Sequence, residues 1–491
     1  MGTSWTGAAQ DGMWYAPTNW TDGVPRAHVA TYFQDGKFGT ILLALAPGQA
    51  AHAGELSIVG ATLTFAAGPL HLDPLSTNPP SQAQDLVISG STLTVDPSAQ
   101  VSGAGIFTLH NQAKLNLQGS FRDATGDVLG TGDAVTITGI GAAWVNSVSF
   151  YLGGTDASAH LAIRHGGALK VAQVATIADG TATVTGAGSS VTAGTLEIGN
   201  GPDGALVIEN GAHVSDTSGI VGDSPLAGAV VTGTGSSWSN SNGLLVGDGT
   251  GQASLTVTDG AKLGFAGGLS IGGTLILDGT AKLSGSYISL QGGSIIAEPP
   301  PGHATGPDVV LRNSLFLFGT GGGLNIAYLE SLPGARLVIQ GAISESPVAP
   351  EVLQIVGGTV ALENSGNSIS KVEINAGTLD LTATGAAGGH NIAFIGAGTL
   401  QIEAGVAIPD PITGFEYSGQ TIDFAAMQLG NASSYDYVPD ASGSGGSLTV
   451  TNGTESSTLH LGGYHDPNDF FFRQTSIGTG TQIYYEGPTH I

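Results

Sequence analysis

Apolar residues in this chain come in short alternating runs rather than in helical stripes. Leu86-Val87-Ile88, Thr92-Leu93-Thr94-Val95, Leu206-Val207-Ile208, Leu255-Thr256-Val257-Thr258 and Leu275-Ile276-Leu277 are rich in β-branched residues and bounded by Gly, Asn, Asp or Ser. A period of two over so short a run predicts a strand with one buried face. The bounding residues supply the positive φ and Asx-turn chemistry of tight corners. Helix signals are nearly absent. Gly costs roughly 1 kcal/mol per residue in a helix interior, and the chain holds 80 of them in 491 residues.

Aligning the corners exposes a repeat. Thr138-Gly139-Ile140-Gly141-Ala142-Ala143-Trp144 matches Thr185-Gly186-Ala187-Gly188-Ser189-Ser190-Val191 and Thr232-Gly233-Thr234-Gly235-Ser236-Ser237-Trp238, at a step of 47 residues. A second block recurs at Leu161 to Ala168, Leu206 to Ala212 and Leu255 to Ala261, at steps of 45 and 49. Such a unit fits two coils of a β-solenoid, in which each coil pairs with the next and no coil is stable alone. A propeller of about 40–50 residues per blade is the rival. The drifting period and the shorter units Gly358-Thr359-Val360, Gly377-Thr378-Leu379 and Gly398-Thr399-Leu400, at steps of 19 and 21, suit single coils better.

The expected architecture is all-β: a right-handed parallel β-helix with aromatic-rich terminal caps. Residues 1–40 form an N-terminal cap and first coils, 41–298 a solenoid of 47-residue repeats (clearest over 135–280), 303–410 a second segment of about 20-residue repeats, and 411–491 a β-rich cap or assembly module. Trp5, Trp14 and Trp20 mark one cap; Phe470, Phe471, Phe472, Tyr484 and Tyr485 mark the other. Pro299-Pro300-Pro301-Gly302 reads as the internal break, and residues 68–84, with four prolines, as a projecting loop.

Composition excludes several classes. Lys+Arg number 12 against 38 Asp+Glu, a formal charge of −26, so there is no electrostatic footprint for nucleic acid or anionic lipid. Without Cys there are no disulfides, Cys-ligated zinc or thiol catalysis. No apolar run approaches the roughly 18 residues of a membrane-spanning helix, so membrane insertion is not expected. Met1-Gly2-Thr3-Ser4-Trp5 shows no signal peptide, which implies either removal of one or another export route.

Four sets of residues resemble bacterial secreted and surface proteins of the autotransporter-passenger and adhesin type. The opening Trp5-Thr6-Gly7, Trp14, Asn19-Trp20 and Gly23-Val24-Pro25 is similar to their first motif. The Thr-Gly-x-Gly-Ser-x-Trp blocks resemble their central repeats, and Gly357 to Leu362 with Ile374 to Leu379 their strand repeat. Ser447 to Gly453 with Leu459 to Tyr464 resembles a C-terminal module of large adhesin-like proteins. The resemblance implies a β-helix outside a bacterial cell, secreted or on the surface, in a class that runs from adhesins to proteases and matrix proteins. A C-terminal run of membrane-barrel strands is missing.

Candidate chemistry is sparse. Gly268-Leu269-Ser270-Ile271-Gly272 matches a nucleophile elbow and Gly199 to Gly204 a dinucleotide loop, but each needs a helix that the pattern does not supply. His160 and Arg164, as i and i+4 on one strand, share a face and form the sharpest candidate for glycan contact or for a lyase base. Trp144 and Trp238 share a repeat phase and are candidates for stacking on sugar rings, with packing inside the fold as the competing assignment. Asp179, Asp223 and Asp248 recur at Gly-adjacent corners, where they suit loose Ca²⁺ binding or simple Asx turns. No other cofactor is implied. The expected role is structural or adhesive: a stiff surface, matrix or fibre-forming element of a biofilm type, with partners in its own copies, head to tail, and in surface polysaccharide. A polysaccharide lyase or glycoside hydrolase, or a non-catalytic glycan binder, is the alternative on the same scaffold.

Overall fold

The computed structural model describes residues 2–34, 40–45, 48–73, 83–154, 158–201, 203–222, 226–247, 253–318, 326–346, 351–388, 391–428, 433–453, 455–474 and 480–486. Apart from short 3-10 turns such as Pro17–Asn19 and Pro467–Asp469, the described elements are strands. The chain divides into two compact units, Met1–Gly247 with Gly251–Ala266, and Gly267–Ile491 with Asp248–Thr250. Both are stretches of parallel β-solenoid.

In the first unit, Ala134–Thr138, Ala159–Arg164, Gly180–Thr185, Gly204–Glu209, Gly228–Thr232 and Ser254–Thr258 pair in parallel, each with the next. Ala134 lies beside His160, His160 beside Thr181, Thr181 beside Ala205, Ala205 beside Gly228 and Gly228 beside Ser254, so one coil takes 21 to 26 residues. The 47-residue repeat is therefore two coils, as the spacing predicts, and a propeller blade, which pairs its strands antiparallel, does not fit. The other sides of each coil come from longer strands such as Ala143–Leu152, Ala168–Ile177, Ser190–Ile198, His213–Val221 and Ser237–Val246. Several break register midway, as between Val171 and Val174, which lets the strand turn. Alternate side chains point inward and stack in columns: Ile137, Ile163, Val184, Ile208, Val231 and Val257 are all fully buried.

The N-terminal end is closed by aromatic packing. The Trp5 and Trp20 rings meet at 4.9 Å, Trp14 and Trp20 at 5.1 Å, and Phe33 lies 5.6 Å from both Trp5 and Trp20. Asn19, fully buried, ties the segment together: it accepts from the Ala9 N–H at 2.8 Å and donates to Asp11 at 2.7 Å and to the Met13 carbonyl at 3.1 Å. The loop expected over 68–84 begins later. The strand Thr62–Leu72 runs through it, with Pro69 beside Gln100, and 74–82 lies outside the described residues.

In the second unit Val309–Leu311, Leu337–Ile339, Thr359–Leu362, Thr378–Leu381, Thr399–Ile402 and Thr421–Phe424 form a parallel ladder. Thr359 pairs with Thr378, Thr378 with Thr399 and Thr399 with Thr421, so each 19- to 22-residue unit is one coil. Strand direction then reverses. Thr421–Phe424 pairs antiparallel with Thr481–Tyr485, which pairs antiparallel with Phe470–Gln474. A meander of Ser433–Pro439, Gly445–Asn452 and Glu455–Gly462 joins the coil stack where Ile412 pairs with Leu461. Within this cap His465 is buried, its ring 4.8 Å from Tyr485 and 5.7 Å from Phe470, both ring nitrogens facing carbonyl oxygens of Gly463 and Phe415. Among the described residues antiparallel pairing occurs only here and at the Trp5–Trp20 bridge, where the stack must stop.

Candidate functional site

The repeated corner motifs account for the two-coil period. Corners on alternate coils are of two kinds. One holds consecutive positive φ angles, at His165 and Gly166 (54° and 87°), Asn210 and Gly211 (56° and 82°), and Asp259 and Gly260 (54° and 76°). Gly is at ease there, and Asn and Asp tolerate it better than most residues. The other is the Thr-Gly-x-Gly-Ser corner. Each kind clasps the other. Thr138 Oγ1 lies 3.1 Å from His165 Nδ1, Asn210 Nδ2 donates to Thr185 Oγ1 at 3.0 Å, and Thr232 Oγ1 donates to Asp259 at 3.2 Å. From the following coil, the buried Ser189 hydroxyl accepts from the Gly166 N–H at 3.1 Å and the buried Ser236 hydroxyl from Gly211 at 3.0 Å. Coil n therefore needs a Thr, coil n+1 an Asn, Asp or His followed by Gly, and coil n+2 a Ser. Asn210→Ala should cost about 1–2 kcal/mol, because it loses the bond and places a Cβ with no local polar compensation at φ 56°. Asn210→Gly should cost less, and urea unfolding of the two variants checks the order.

Trp144 and Trp238 are fully buried. They sit in one inward column with Leu169, Val191 and Val214 between them, so the assignment to sugar stacking is corrected: neither ring has a face that a sugar can reach. Each indole instead donates to a buried carboxylate on the preceding coil, Trp144 Nε1 to Asp123 at 3.1 Å and Trp238 Nε1 to Asp216 at 2.6 Å. Asn146, two residues after Trp144, donates to Asp123 as well, and Asn240, two residues after Trp238, is the strand neighbour of Asp216. Burial pushes the Asp216 carboxyl up to about 7 against the pull of the indole bond, and pushes Asp123 well above the usual carboxylate range. The spacing of 21 and 22 residues from Asp to Trp, about one coil, was the available signal for these carboxylates. Gly126 and Gly219 make room for the clusters: a methyl built on Gly126 would lie 2.6 Å from the Trp144 ring, and one on Gly219 2.4 Å from Asn240.

The surface candidates are placed as follows. His160 and Arg164 are both exposed on the outer face of Ala159–Arg164, as their spacing predicts. Arg164 lies between Thr138 and Thr185, and His160 between Ala134 and Thr181, so neither has a carboxylate as strand neighbour. Asp179 is buried, and Asp223 and Asp248 lie outside the described residues. Among the described residues no three His, Asp or Glu side chains converge as metal ligands would. Ser270 lies in the strand Leu269–Ile271 with the strand Thr274–Asp278 after it, and Gly204 opens the strand Gly204–Glu209, so neither glycine motif has its helix. Of the cap aromatics, Trp5, Trp14, Trp20, Phe470 and Tyr485 are buried, whereas Phe471 is exposed and stacks on Tyr484 at 5.6 Å, and Phe472 packs 5.0 Å from Tyr435. Comparison with family models, curated proteins and solved structures returned no match.

Proposed function

We propose that this protein is an extracellular structural or adhesive element of a bacterium, working as a stiff, acidic scaffold that associates with its own copies. The supporting observation is where the repeated residues are used. The Thr, Asn/Asp/His-Gly and Ser of the corner motif, the inward aliphatic columns and the buried Asp–Trp clusters all bond or pack coil to coil. A pattern kept for stacking suits a mechanical role, since each coil is held by its neighbours. The surplus of 26 negative charges keeps such scaffolds soluble and resists unspecific clumping.

Self-association is supported by the cap. Among the described residues its outermost strands, Ser433–Pro439 and Phe470–Gln474, have a ladder partner on one side only, and a second copy can add a strand there. Electron micrographs and sedimentation of the purified chain over a range of concentration and salt should show head-to-tail oligomers or fibres. Monomers under every condition would remove the self-association.

A second reading, a polysaccharide-active or glycan-binding surface, is favoured by the exposed His160 and Arg164 on one strand face. It requires Arg164→Ala to abolish a glycan-degrading or glycan-binding activity, and an unchanged activity counts against it.

A further inference from the structure

One outer face of the first unit is free of carboxylates. It is formed by the first halves of Ser120–Val128, Ala143–Leu152, Ala168–Ile177, Ser190–Ile198, His213–Val221 and Ser237–Val246, followed by Lys262–Phe265, which pair in parallel in that order. Alternation buries the column that holds Trp144 and Trp238 and leaves an outward column on either side of it. One outward column runs from Ser120 to Lys262, the other from Arg122 to Gly264. None of the 38 Asp and Glu stands in either. The nearby Asp123 and Asp216 are buried, and Asp259, in the corner before Lys262, accepts from Thr232 Oγ1.

The cations on this face keep step with the two-coil repeat. Arg122 lies beside Val145 and Val145 beside Lys170, so two strand spacings, about 10 Å, separate the two charges. In the other column, two residues back along the strand, Ala168 lies beside Ser190, Ser190 beside His213, His213 beside Ser237 and Ser237 beside Lys262. His213 therefore stands two coils beyond Lys170, and Lys262 two coils beyond His213. All four side chains are exposed, and among the described residues none of them has an ion pair. The positions between are mostly hydroxyls such as Ser190, Thr192, Ser215 and Ser239, or small residues such as Ala143 and Ala168. Ser215 Oγ donates to Thr192 Oγ1 at 3.3 Å, and His213 Nδ1 lies 2.9 Å from Ser237 Oγ.

The spacing selects the occupant. The face has no aromatic ring and nothing larger than Val145 to hold an apolar partner. A nucleic-acid strand carries a charge about every 3.4 Å, roughly three times the density of this row, and the net charge of −26 repels it. An extended acidic peptide repeats the side chains of one face about every 6.8 Å and drifts out of step. A linear polysaccharide advances by about one strand spacing per sugar. An acidic group on alternate sugars therefore recurs with the cations, and the hydroxyl positions between them meet the hydroxyls of the sugars.

We propose that this face binds a linear acidic polysaccharide that bears a carboxylate on alternate sugars and lies along the stack of coils. Its carboxylates pair with Arg122, Lys170 and Lys262, and His213 adds a hydrogen bond in the step between the two lysines. The proposal rests on the glycan-binding reading above and assigns the contact to residues other than His160 and Arg164, which stand on another side of the coil.

The test is calorimetry of the whole chain with hyaluronan oligosaccharides, in which glucuronate alternates with an uncharged sugar. The row from Arg122 to Lys262 spans six strand spacings, about 29 Å, so the octasaccharide should bind at least tenfold more tightly than the tetrasaccharide. The octasaccharide with its carboxyls reduced to alcohols should bind at least tenfold more weakly. The surface variant Arg122→Gln/Lys170→Gln/Lys262→Gln should lose at least tenfold while keeping the wild-type circular dichroism, and Arg164→Ala should bind as the parent does. No binding at millimolar octasaccharide, or equal binding of the reduced form or by the triple variant, would overturn the proposal. Loss of binding in Arg164→Ala with the triple variant unaffected would overturn this row and leave the glycan-binding reading standing. Tighter binding of polyglutamate than of hyaluronan would overturn it in favour of an acidic peptide.

Discussion

Trp144→Ala should lower the unfolding free energy by about 3–5 kcal/mol, among the largest losses a single substitution can produce in this fold. The indole is fully buried, meets Phe107 at 5.0 Å, Phe150 at 5.3 Å and Phe121 at 5.8 Å, and donates a hydrogen bond to Asp123. Truncation leaves a cavity and also strips a buried carboxyl of a donor. Trp144→Phe separates the two losses. It keeps most of the aromatic packing and forfeits the N–H, so it should cost about 1–3 kcal/mol. Urea unfolding measures both. A loss below about 1 kcal/mol for the Ala variant would show that the ring is not part of the core.

Stability should rise as the solution is acidified from pH 8 to pH 5. The sign follows from the buried carboxyls. Burial raises Asp216 to about 7, Glu351 to about 7 and Asp85 to about 6, and pushes Asp123 in the same direction. In the unfolded chain each returns to the ordinary carboxylate range near 4. Between that value and the folded one, the native state holds a proton that the unfolded state has lost. Stability is therefore full at the acid end of the window and falls as pH rises, levelling off above about 7. At about 1.4 kcal/mol per pH unit, Asp216 alone contributes up to about 3 kcal/mol between pH 7 and pH 5. Relief of the −26 net charge acts in the same direction. Asp216→Asn keeps an oxygen for the Trp238 indole and removes the titration, so its thermal midpoint should exceed that of the parent at pH 8 and approach it at pH 5. A parent whose midpoint falls steadily from pH 8 to pH 5 would contradict the assignment.

The architecture was legible because its elements are local. The Thr-Gly-x-Gly-Ser and Asn-Gly-Ala blocks report backbone angles and strand ends directly, and a step of 47 residues reports the stacking of coils, since equivalent corners must lie above one another. The cap aromatics were legible for the same reason: Trp5, Trp14, Trp20 and Phe470 break a pattern that otherwise has little aromatic content. What the pattern left open depends on the sense of a side chain. Trp144 and Trp238 carry the same letter whether a ring faces a sugar or a core, and only the register with Asp123 and Asp216, about one coil earlier, decides it. The parting of the strands Lys282–Gly285 and Val309–Leu311, which belong to different sheets, leaves no mark in the pattern. The strand sequences on its two sides look as regular as any others, and the gap arises from an insertion whose effect on pairing is not local.

The central claim is that the coils stack in parallel at a step of about two dozen residues. With no native cysteine, an engineered pair reports this without ambiguity. Thr183 and Val207 are direct neighbours on adjacent coils with outward side chains, whereas Ala205 is displaced along the same strand by two residues. A disulfide bridges Cα atoms about 4.4–6.8 Å apart and not beyond about 7 Å. Oxidation of Thr183→Cys/Val207→Cys should give a nearly quantitative intramolecular cross-link, and Thr183→Cys/Ala205→Cys little or none. Failure of the first pair, or equal yield from both, would contradict the stacked-coil structure.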